Sequence, residues 1–325
     1  MSNKTALITG ISGQDGSYLA EYLLTKGYVV SGLLRRNSVA ENQSYRLAHL
    51  DHEIDTHYAD VTDNSSLARV IETVCPDEIY NLAAQSHVRV SFDIPEFTLQ
   101  TNAAGPLSIL EILRRSGSSA RFYQASSSEM FGNSVDPDNF QRETTPMHPV
   151  SPYGCAKLFA YHIVRNYRSS YGLFASNGIL FNHESPRRGS NFVTSKIVKT
   201  AVEIKRGLKS KLVLGNIDTY RDWGHSRDYV KAMHLILNHE VSDDFVIATG
   251  QTFTVRDFLR ATFERLDLDY HNHVEFDSKF NRPTELNYLR GDAAKARTTL
   301  GWTPLTTFEM LVDEMVDEWL AKTAK

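Results

Sequence analysis

A short apolar run, Thr5-Ala6-Leu7-Ile8-Thr9, stops at Gly10-Ile11-Ser12-Gly13-Gln14-Asp15-Gly16, and an amphipathic stretch begins at once. No other feature narrows the fold as much. A strand that turns into a helix this abruptly needs glycine, whose missing Cβ lets the backbone turn tightly and lie close to a neighbour. The new helix aims its free N–H groups and positive dipole end at the turn, which favours an anion there, a pyrophosphate above all. The spacing is GxxGxxG and not GxGxxG, so the glycines alone fit any tight strand–helix turn. The strand before them and the helix after them supply the context in which such a loop binds a dinucleotide.

The alternation continues along the first half. Strands are expected at Thr5–Thr9, Tyr28–Leu34, Ile54–Tyr58, Glu78–Leu82, Arg121–Ala125 and Phe174–Leu180. Helices are expected at Gly13–Lys26, Ser65–Thr73, Pro106–Ser116 and Pro152–Ser170. A parallel sheet with crossover helices is what this pattern demands. The fold class is therefore α/β, a Rossmann-type doubly wound parallel sheet with ligands outside the carboxyl ends of its strands. After about Asn182 the pattern loosens into a polar loop at Pro186–Gly189, a helix at Phe192–Lys205 and short runs at Leu212–Leu214 and Phe245–Ala248. Helices near Val255–Leu266, Ala293–Leu300 and Phe308–Leu320 follow, with irregular sequence such as Phe280–Glu285 among them. This assigns 1–181 to cofactor binding, with parts of about 217–249 returning to it. About 182–216 and 250–325 form a smaller, discontinuous α/β substrate-binding lobe on the C-terminal side.

Composition excludes several classes. With 325 residues, 41 % apolar and 23 % charged, and a formal net charge of -4, the chain can bury a large core and has no cationic excess for nucleic acid. No apolar run reaches membrane-helix length, and no secretory signal or membrane partner is expected. Two cysteines, Cys75 and Cys155, are too few to staple a secreted fold, which points to the reducing cytoplasm. The twelve histidines match no zinc spacing, so no metal is expected.

Three further constellations carry chemistry. At the end of the second strand, where an NAD-binding chain usually has a carboxylate, this one reads Arg35-Arg36-Asn37-Ser38. Guanidinium groups there pair with a 2′-phosphate and favour NADP, the plain alternative being two solvated arginines. Asp60-Val61, after the third strand, can meet the adenine or merely cap a helix. Tyr153 and Lys157 stand four apart on one helix face, so the ammonium is expected to pull the phenol toward neutral and make it a base. Tyr22 and Lys26 show the same spacing in the first helix, where only packing is expected. What distinguishes Tyr153 is the preceding strand end, Ser126-Ser127-Ser128-Glu129. Ser127 can bond the hydroxyl that Tyr153 deprotonates, and Glu129 adds the acid/base that eliminating water requires. The bland reading is that the serines cap a turn that Glu129 begins. No GxSxG is present, which removes a serine hydrolase.

These residues resemble the extended short-chain dehydrogenase/reductase superfamily, and within it the GDP-mannose 4,6-dehydratase family. The resemblance runs nearly end to end through Thr9–Gly16, Tyr80–Val88, Phe122–Gly132, Ser151–Lys157, Gly178–Gly189, Arg221–His225, Arg282–Glu285 and Gly301–Pro304. It implies that Leu82, Ala83, Ala84, Gln85, Ser86, Phe97, Lys157, His183 and Arg188 line a tightly bound NADP, regenerated each turnover. It implies further that Ser86, Asn182, Lys196, Arg221, Arg282 and Glu285 hold a GDP-sugar, and that the chain forms a homodimer or homotetramer in which the Arg35–Ser44 loop reaches a neighbour's cofactor. The family usually has Thr-Ser-Glu where this chain has Ser127-Ser128-Glu129; serine keeps the hydroxyl but loses χ1 stiffness, so looser positioning is expected. By this resemblance Tyr153, Lys157, Ser127 and Glu129 carry an internal hydride cycle from C4 to C6. The same dehydration of a GDP-manno-heptose, a 4-epimerase or 4-keto reductase, and a catalytically silent NADP-binding protein remain as alternatives.

Overall fold

The computed structural model describes residues 3–36, 45–277, 280 and 283–323. Asn37, Ser38 and the rest of the loop to Ser44, together with Arg282, lie outside the described residues. The first half runs β1 (Thr5–Thr9), α1 (Gln14–Thr25), β2 (Val29–Leu34), β3 (Ile54–Tyr58), α2 (Asn64–Val74), β4 (Glu78–Asn81), α3 (Val88–Ser91), α4 (Pro95–Leu99), α5 (Gly105–Ser116), β5 (Arg121–Ser127), α6 (Pro152–Tyr171) and β6 (Ala175–Leu180). The second half runs β7 (Asn182–Glu184), α7 (Val193–Lys205), β8 (Leu212–Leu214), β9 (Tyr220–Arg221), β10 (Trp223–His225), α8 (Ser226–Asn238), β11 (Asp244–Ile247), β12 (Phe253–Thr254), α9 (Val255–Glu264), β13 (Val274–Phe276), α10 (Ala294–Leu300) and α11 (Phe308–Lys322).

Seven of these strands form one sheet in the order β11-β6-β5-β4-β1-β2-β3, every pairing parallel. This is the doubly wound α/β fold that the alternation demanded. The chain winds outward from β1 to β3 and then returns to β4 on the other side of β1. A crevice opens outside the carboxyl ends of β1 and β4, where the winding reverses. Alternation along each strand serves two cores. Ala6, Ile8, Tyr80 and Tyr123 meet α1 and α8 on one face, while Leu7, Ile79 and Phe122 meet α2, α5 and α6 on the other. The second half of the chain has a separate core, in which α7, α9 and α11 pack around Trp223, Phe258 and Phe308. Phe253 stacks on Phe308 with ring centroids 4.0 Å apart. Among the described residues no helix is long and apolar enough to cross a membrane.

Most element ends differ from expectation by one or two residues, as frayed ends do. Two differences have consequences. Ser126 and Ser127 belong to β5 itself and do not follow it. The helix α8 was not anticipated, although Tyr229, Val230, Met233, Ile236 and Leu237 recur at helical spacing and are all buried. β10 runs into α8 without a turn residue, so nothing in the sequence punctuates its start.

Asp222, between β9 and β10, clamps segments distant in sequence. One carboxylate oxygen accepts from the Thr249 backbone N–H at 2.9 Å and from its hydroxyl at 2.6 Å; the other accepts from the N–H groups of Gly250 at 2.9 Å and Gly291 at 3.2 Å. Burial raises its pKa to about 6, against the pull of those donors. An asparagine would keep one accepting oxygen and turn its NH2 toward two donors. Asp222→Asn is therefore expected to destabilise the fold by about 2–4 kcal/mol in urea unfolding, and a change near zero would show that the carboxylate holds nothing together.

Candidate active site

The glycine loop is shaped by two close approaches. Gly10 has φ +68°, and a Cβ there would stand 2.9 Å from the Ala83 nitrogen. A Cβ on Gly16 would stand 2.4 Å from the Gly10 carbonyl oxygen. Both contacts are with backbone, so neither position can give way. Gly13 then caps α1 in extended conformation without a side-chain hydrogen bond, leaving the first-turn N–H groups to a ligand. The Thr9 hydroxyl accepts from the N–H groups of Leu82 at 3.1 Å and Ala83 at 3.0 Å, drawing the end of β4 alongside the loop.

At the end of β2 the Arg35 and Arg36 side chains are exposed and lie over the rings of Phe97 and Tyr58, at 5.8 and 5.9 Å. Arginines stand at the position where a ribose-binding carboxylate would otherwise be, and this fits a 2′-phosphate. Asp60 accepts from the N–H of Thr62 at 2.9 Å and its hydroxyl at 2.8 Å, forming the turn before α2.

The catalytic candidates meet where β5 ends and α6 begins. The Ser127 hydroxyl accepts from the Glu129 N–H at 3.2 Å and lies near enough to the Tyr153 phenol to favour its phenolate. Ser151 caps α6 by accepting from the Gly154 N–H at 3.0 Å, which sets Tyr153 in the first turn and Lys157 one turn on. All four candidates are buried. Tyr22 and Lys26, the pair with the same spacing, pack against each other at 5.3 Å and do not line the cavity.

The electrostatics of the pair differ from expectation. Burial pushes the Tyr153 phenol up to about 12; the bond from Ser127 and the charge of Arg188 work against this, and the carboxylates of Glu129 and Asp15 work with it. Burial also takes the Lys157 ammonium down to about 8, against the pull of Asp15. The lysine donates to the Ala125 carbonyl at 2.7 Å and its nitrogen lies 5.8 Å from the Tyr153 ring centre. It is held by backbone in a dry site, so in the protein alone desolvation outweighs the attraction that the spacing suggested.

The opposite wall comes from the second half. β7 pairs with β10, setting Asn182 opposite Trp223 and His183 opposite Gly224. Arg188 lies 2.9 Å from Glu184 and 3.6 Å above the Phe192 ring; Lys196 donates to the Val213 carbonyl at 2.7 Å. Arg221, which would pass for a surface residue in sequence, is buried 3.7 Å from Glu285. Asn182, His183, Arg188, Lys196, Arg221 and Glu285, together with Asp15, Leu82, Ala84, Ser86, Ser127, Glu129, Tyr153 and Lys157, line one cavity of about 760 Å³. His87, Arg89, Asn191, Lys199 and Thr219 line it too and were not anticipated. Lys199 alone left a trace, three residues beyond Lys196 on the same helix face.

Other expected residues stand behind or beside the wall. Gln14 donates to the His183 carbonyl and accepts from the Ser185 hydroxyl, so it props the wall from behind. The Gln85 backbone N–H donates to the Asn102 side chain and its side-chain amide donates to the His87 carbonyl, while its Oε1 is buried without a hydrogen-bond partner among the described residues. The Ser12 carbonyl accepts from Arg46, and Phe97 lies at the surface beneath Arg35. Gly10, Gly13, Gly16, Asp60, Val61 and Ala83 also do not line the cavity. Among the described residues no cluster of three or more His, Cys, Asp or Glu could hold a metal.

The chain matches the family model described as GDP-mannose 4,6 dehydratase over residues 7–315. It is 53 % identical to GDP-mannose 4,6 dehydratase 2 of Arabidopsis thaliana, across 97 % of this chain and 86 % of that one. It is 47 % identical to the human GDP-mannose 4,6 dehydratase, across 96 % and 90 %. Among solved structures it is similar to the UDP-glucose 4-epimerase of Thermotoga maritima, with a TM-score of 0.86 at 24 % identity over 99 % of this chain and 100 % of that one. It is also similar to the dTDP-glucose 4,6-dehydratase of Bacillus anthracis, with a TM-score of 0.84 at 24 % identity over 98 % and 97 %. At that identity the structural likeness speaks for the fold alone.

Replacing Arg35 and Arg36 together by alanine is expected to weaken NADP binding by about 10- to 100-fold, from the loss of charge-assisted hydrogen bonds, while NAD binding changes little. Calorimetric titration with both dinucleotides measures this; equal losses for the two would remove the arginines from the 2′-phosphate.

Proposed function

The chain belongs to the GDP-mannose 4,6-dehydratase family, and we propose that the cavity between its two halves is where a GDP-sugar is oxidised at C4, dehydrated across C5 and C6, and reduced at C6. The reaction is the conversion of GDP-mannose to GDP-4-keto-6-deoxymannose and water, with NADP as the regenerated cofactor. NADP supplies the hydride acceptor and donor and, when oxidised, a positive charge that a phenol near pKa 12 needs beside it.

Tyr153 takes the proton of the C4 hydroxyl, with the Ser127 hydroxyl completing the hydrogen bond. Lys157 orients the first turns of α6 through its bond to the Ala125 carbonyl and brings a cation to the site. The ketone formed at C4 acidifies the C5 proton, which Glu129 removes before protonating the departing C6 hydroxyl to water. After reduction at C6, the proton that Tyr153 took from the C4 hydroxyl is delivered to C5, so that both residues end the cycle as they began it. The observation that carries this reading is the burial of Glu129 in the same pocket as Tyr153, with the Ser127 hydroxyl bonded to the Glu129 N–H and close to the phenol. A dehydrogenase or 4-epimerase needs only the hydroxyl, tyrosine and lysine; elimination needs the carboxyl as well. Arg188, Lys196 and Arg221 supply the positive charge that a pyrophosphate requires.

In the same reading 1–181 with α8 and β11 hold the cofactor, and 182–216 with 250–323 hold the sugar nucleotide. The exposed thiols of Cys75 and Cys155 support a cytoplasmic protein. A homodimer or homotetramer is supported by exposed apolar residues on and near α4 and α6, among them Leu99, Phe159 and Tyr171.

Glu129→Gln is expected to cut turnover by about 10²–10⁴ while C4 oxidation survives in part. With GDP-mannose deuterated at C4, the unaltered protein should deliver the label to C6 of the product. Label released to the cofactor pool would break the closed cycle, and normal turnover by the variant would take Glu129 out of the reaction. Dehydration of a GDP-manno-heptose in preference to GDP-mannose would move the assignment to that sugar.

A further inference from the structure

His183 faces an acceptor at each ring nitrogen. Nδ1 lies 2.7 Å from the Phe181 carbonyl oxygen, and Nε2 lies 2.8 Å from an Asp15 carboxylate oxygen. A neutral imidazole has one N–H and would set lone pair against lone pair at the other contact, whereas the imidazolium donates to both. The ring cannot turn away, because it is stacked on Tyr229 with centroids 4.5 Å apart and planes inclined by 25°. The second oxygen of Asp15 accepts from the Ser226 hydroxyl and, at 3.2 Å, from the Gln14 amide. Asp15 also lies in the first turn of α1, where the helix dipole favours its charge.

We propose that Asp15 is a positioning residue for the reaction of this cavity: it holds His183 as an imidazolium and thereby locks the glycine loop to the segment Phe181–Glu184 on the sugar side. Three elements meet on one carboxylate, namely the start of α1, the strand β7 and the start of α8. The pyrophosphate-binding turn and the sugar-side wall then keep one spacing, and a hydride passed twice between cofactor and sugar depends on that spacing. The rate consequence rests on the function proposed above; the charge state of His183 does not.

The surrounding charges agree. Burial works to raise Asp15, but the charge and hydrogen bond of His183, the Ser226 hydroxyl and Arg188 hold it well below the ordinary carboxylate range. Burial works to lower His183, and Arg188 from the loop after β7 works the same way, yet Asp15 and the Phe181 carbonyl hold it above the ordinary imidazole value. Lys157 from α6 and Tyr229 from α8 feel Asp15, and Glu184 on β7 acts on Tyr229. The contribution of the raised histidine is full below the ordinary imidazole value and is lost as pH rises through the raised one. That of the depressed Asp15 is present above the ordinary carboxylate value and is lost as pH falls through the depressed one. The pair is therefore intact between the depressed carboxylate value and the raised imidazole value.

The test uses the full-length holoenzyme labelled with ¹⁵N-histidine, the His183 resonances being assigned by their loss in His183→Gln. Both ring nitrogens of His183 should remain protonated at about pH 8, above the ordinary imidazole value. In Asp15→Asn the titration should fall by about one unit or more, and turnover should drop about tenfold further between pH 6 and pH 8 than in the unaltered enzyme, with activity recovered at the acid end. A purely structural role would depress turnover equally at both pH values and overturn the proposal. A His183 that is neutral at pH 7 in the unaltered protein would overturn it too, and that spectrum decides even where the variant fails to fold. Absence of any dehydration by the unaltered protein would sink the proposed reaction, while the histidine spectrum still judges the pair.

Discussion

The backbone crossing at Gly16 is the constraint on which the rest depends. The Gly16 Cα lies so close to the Gly10 carbonyl and to Ile11 that no side chain fits between them. That approach lets α1 start directly over the carboxyl end of β1 and point its N-terminus into the crevice where the sheet reverses direction. It also sets Asp15 at the inner edge of the cavity, beside the strand that leads toward the lobe. The glycine turn, the start of α1 and the contact between Asp15 and His183 follow from one backbone approach.

Desolvation gives the cavity its chemistry. The same burial drives the Tyr153 phenol up to about 12 and the Lys157 ammonium down to about 8, so at neutral pH the phenol is protonated, the lysine keeps most of its charge, and both respond strongly to any charge brought near them. Water would flatten that response; a dry wall built from two halves of the chain preserves it. Fixed hydrogen bonds then decide orientation. Ser127 is held by the Glu129 N–H and Lys157 by the Ala125 carbonyl, so the proposed reacting groups need little rearrangement. Asp222 performs a similar service for the scaffold, joining the end of β11 to the segment before α10.

Comparison of sequence with structure separates two kinds of information. The parallel sheet was legible because apolar runs and helical periods are local patterns, and the glycine loop because a turn needs particular residues in succession. The Tyr153 and Lys157 pair was legible only through its setting, since Tyr22 and Lys26 carry the same spacing and serve packing. α8 had the right period but no punctuation, and its burial against α1 is what makes it a helix of the core. The direction of the Tyr153 shift was not legible, because it depends on how completely the site is dried.

By itself the sequence determined the α/β alternation, the glycine turn between the first strand and the first helix, the arginines in place of a ribose-binding carboxylate, and the serine, glutamate, tyrosine and lysine proposed to carry the chemistry. These are properties of residue types and of neighbours within a few positions. Tertiary structure alone decided that Arg221 is buried, that Gln14 props a wall it does not line, and that Asp15 meets His183 across 168 positions of chain. Charge state and burial are set by whatever the fold brings within a few ångströms, and distant partners leave no local pattern to read.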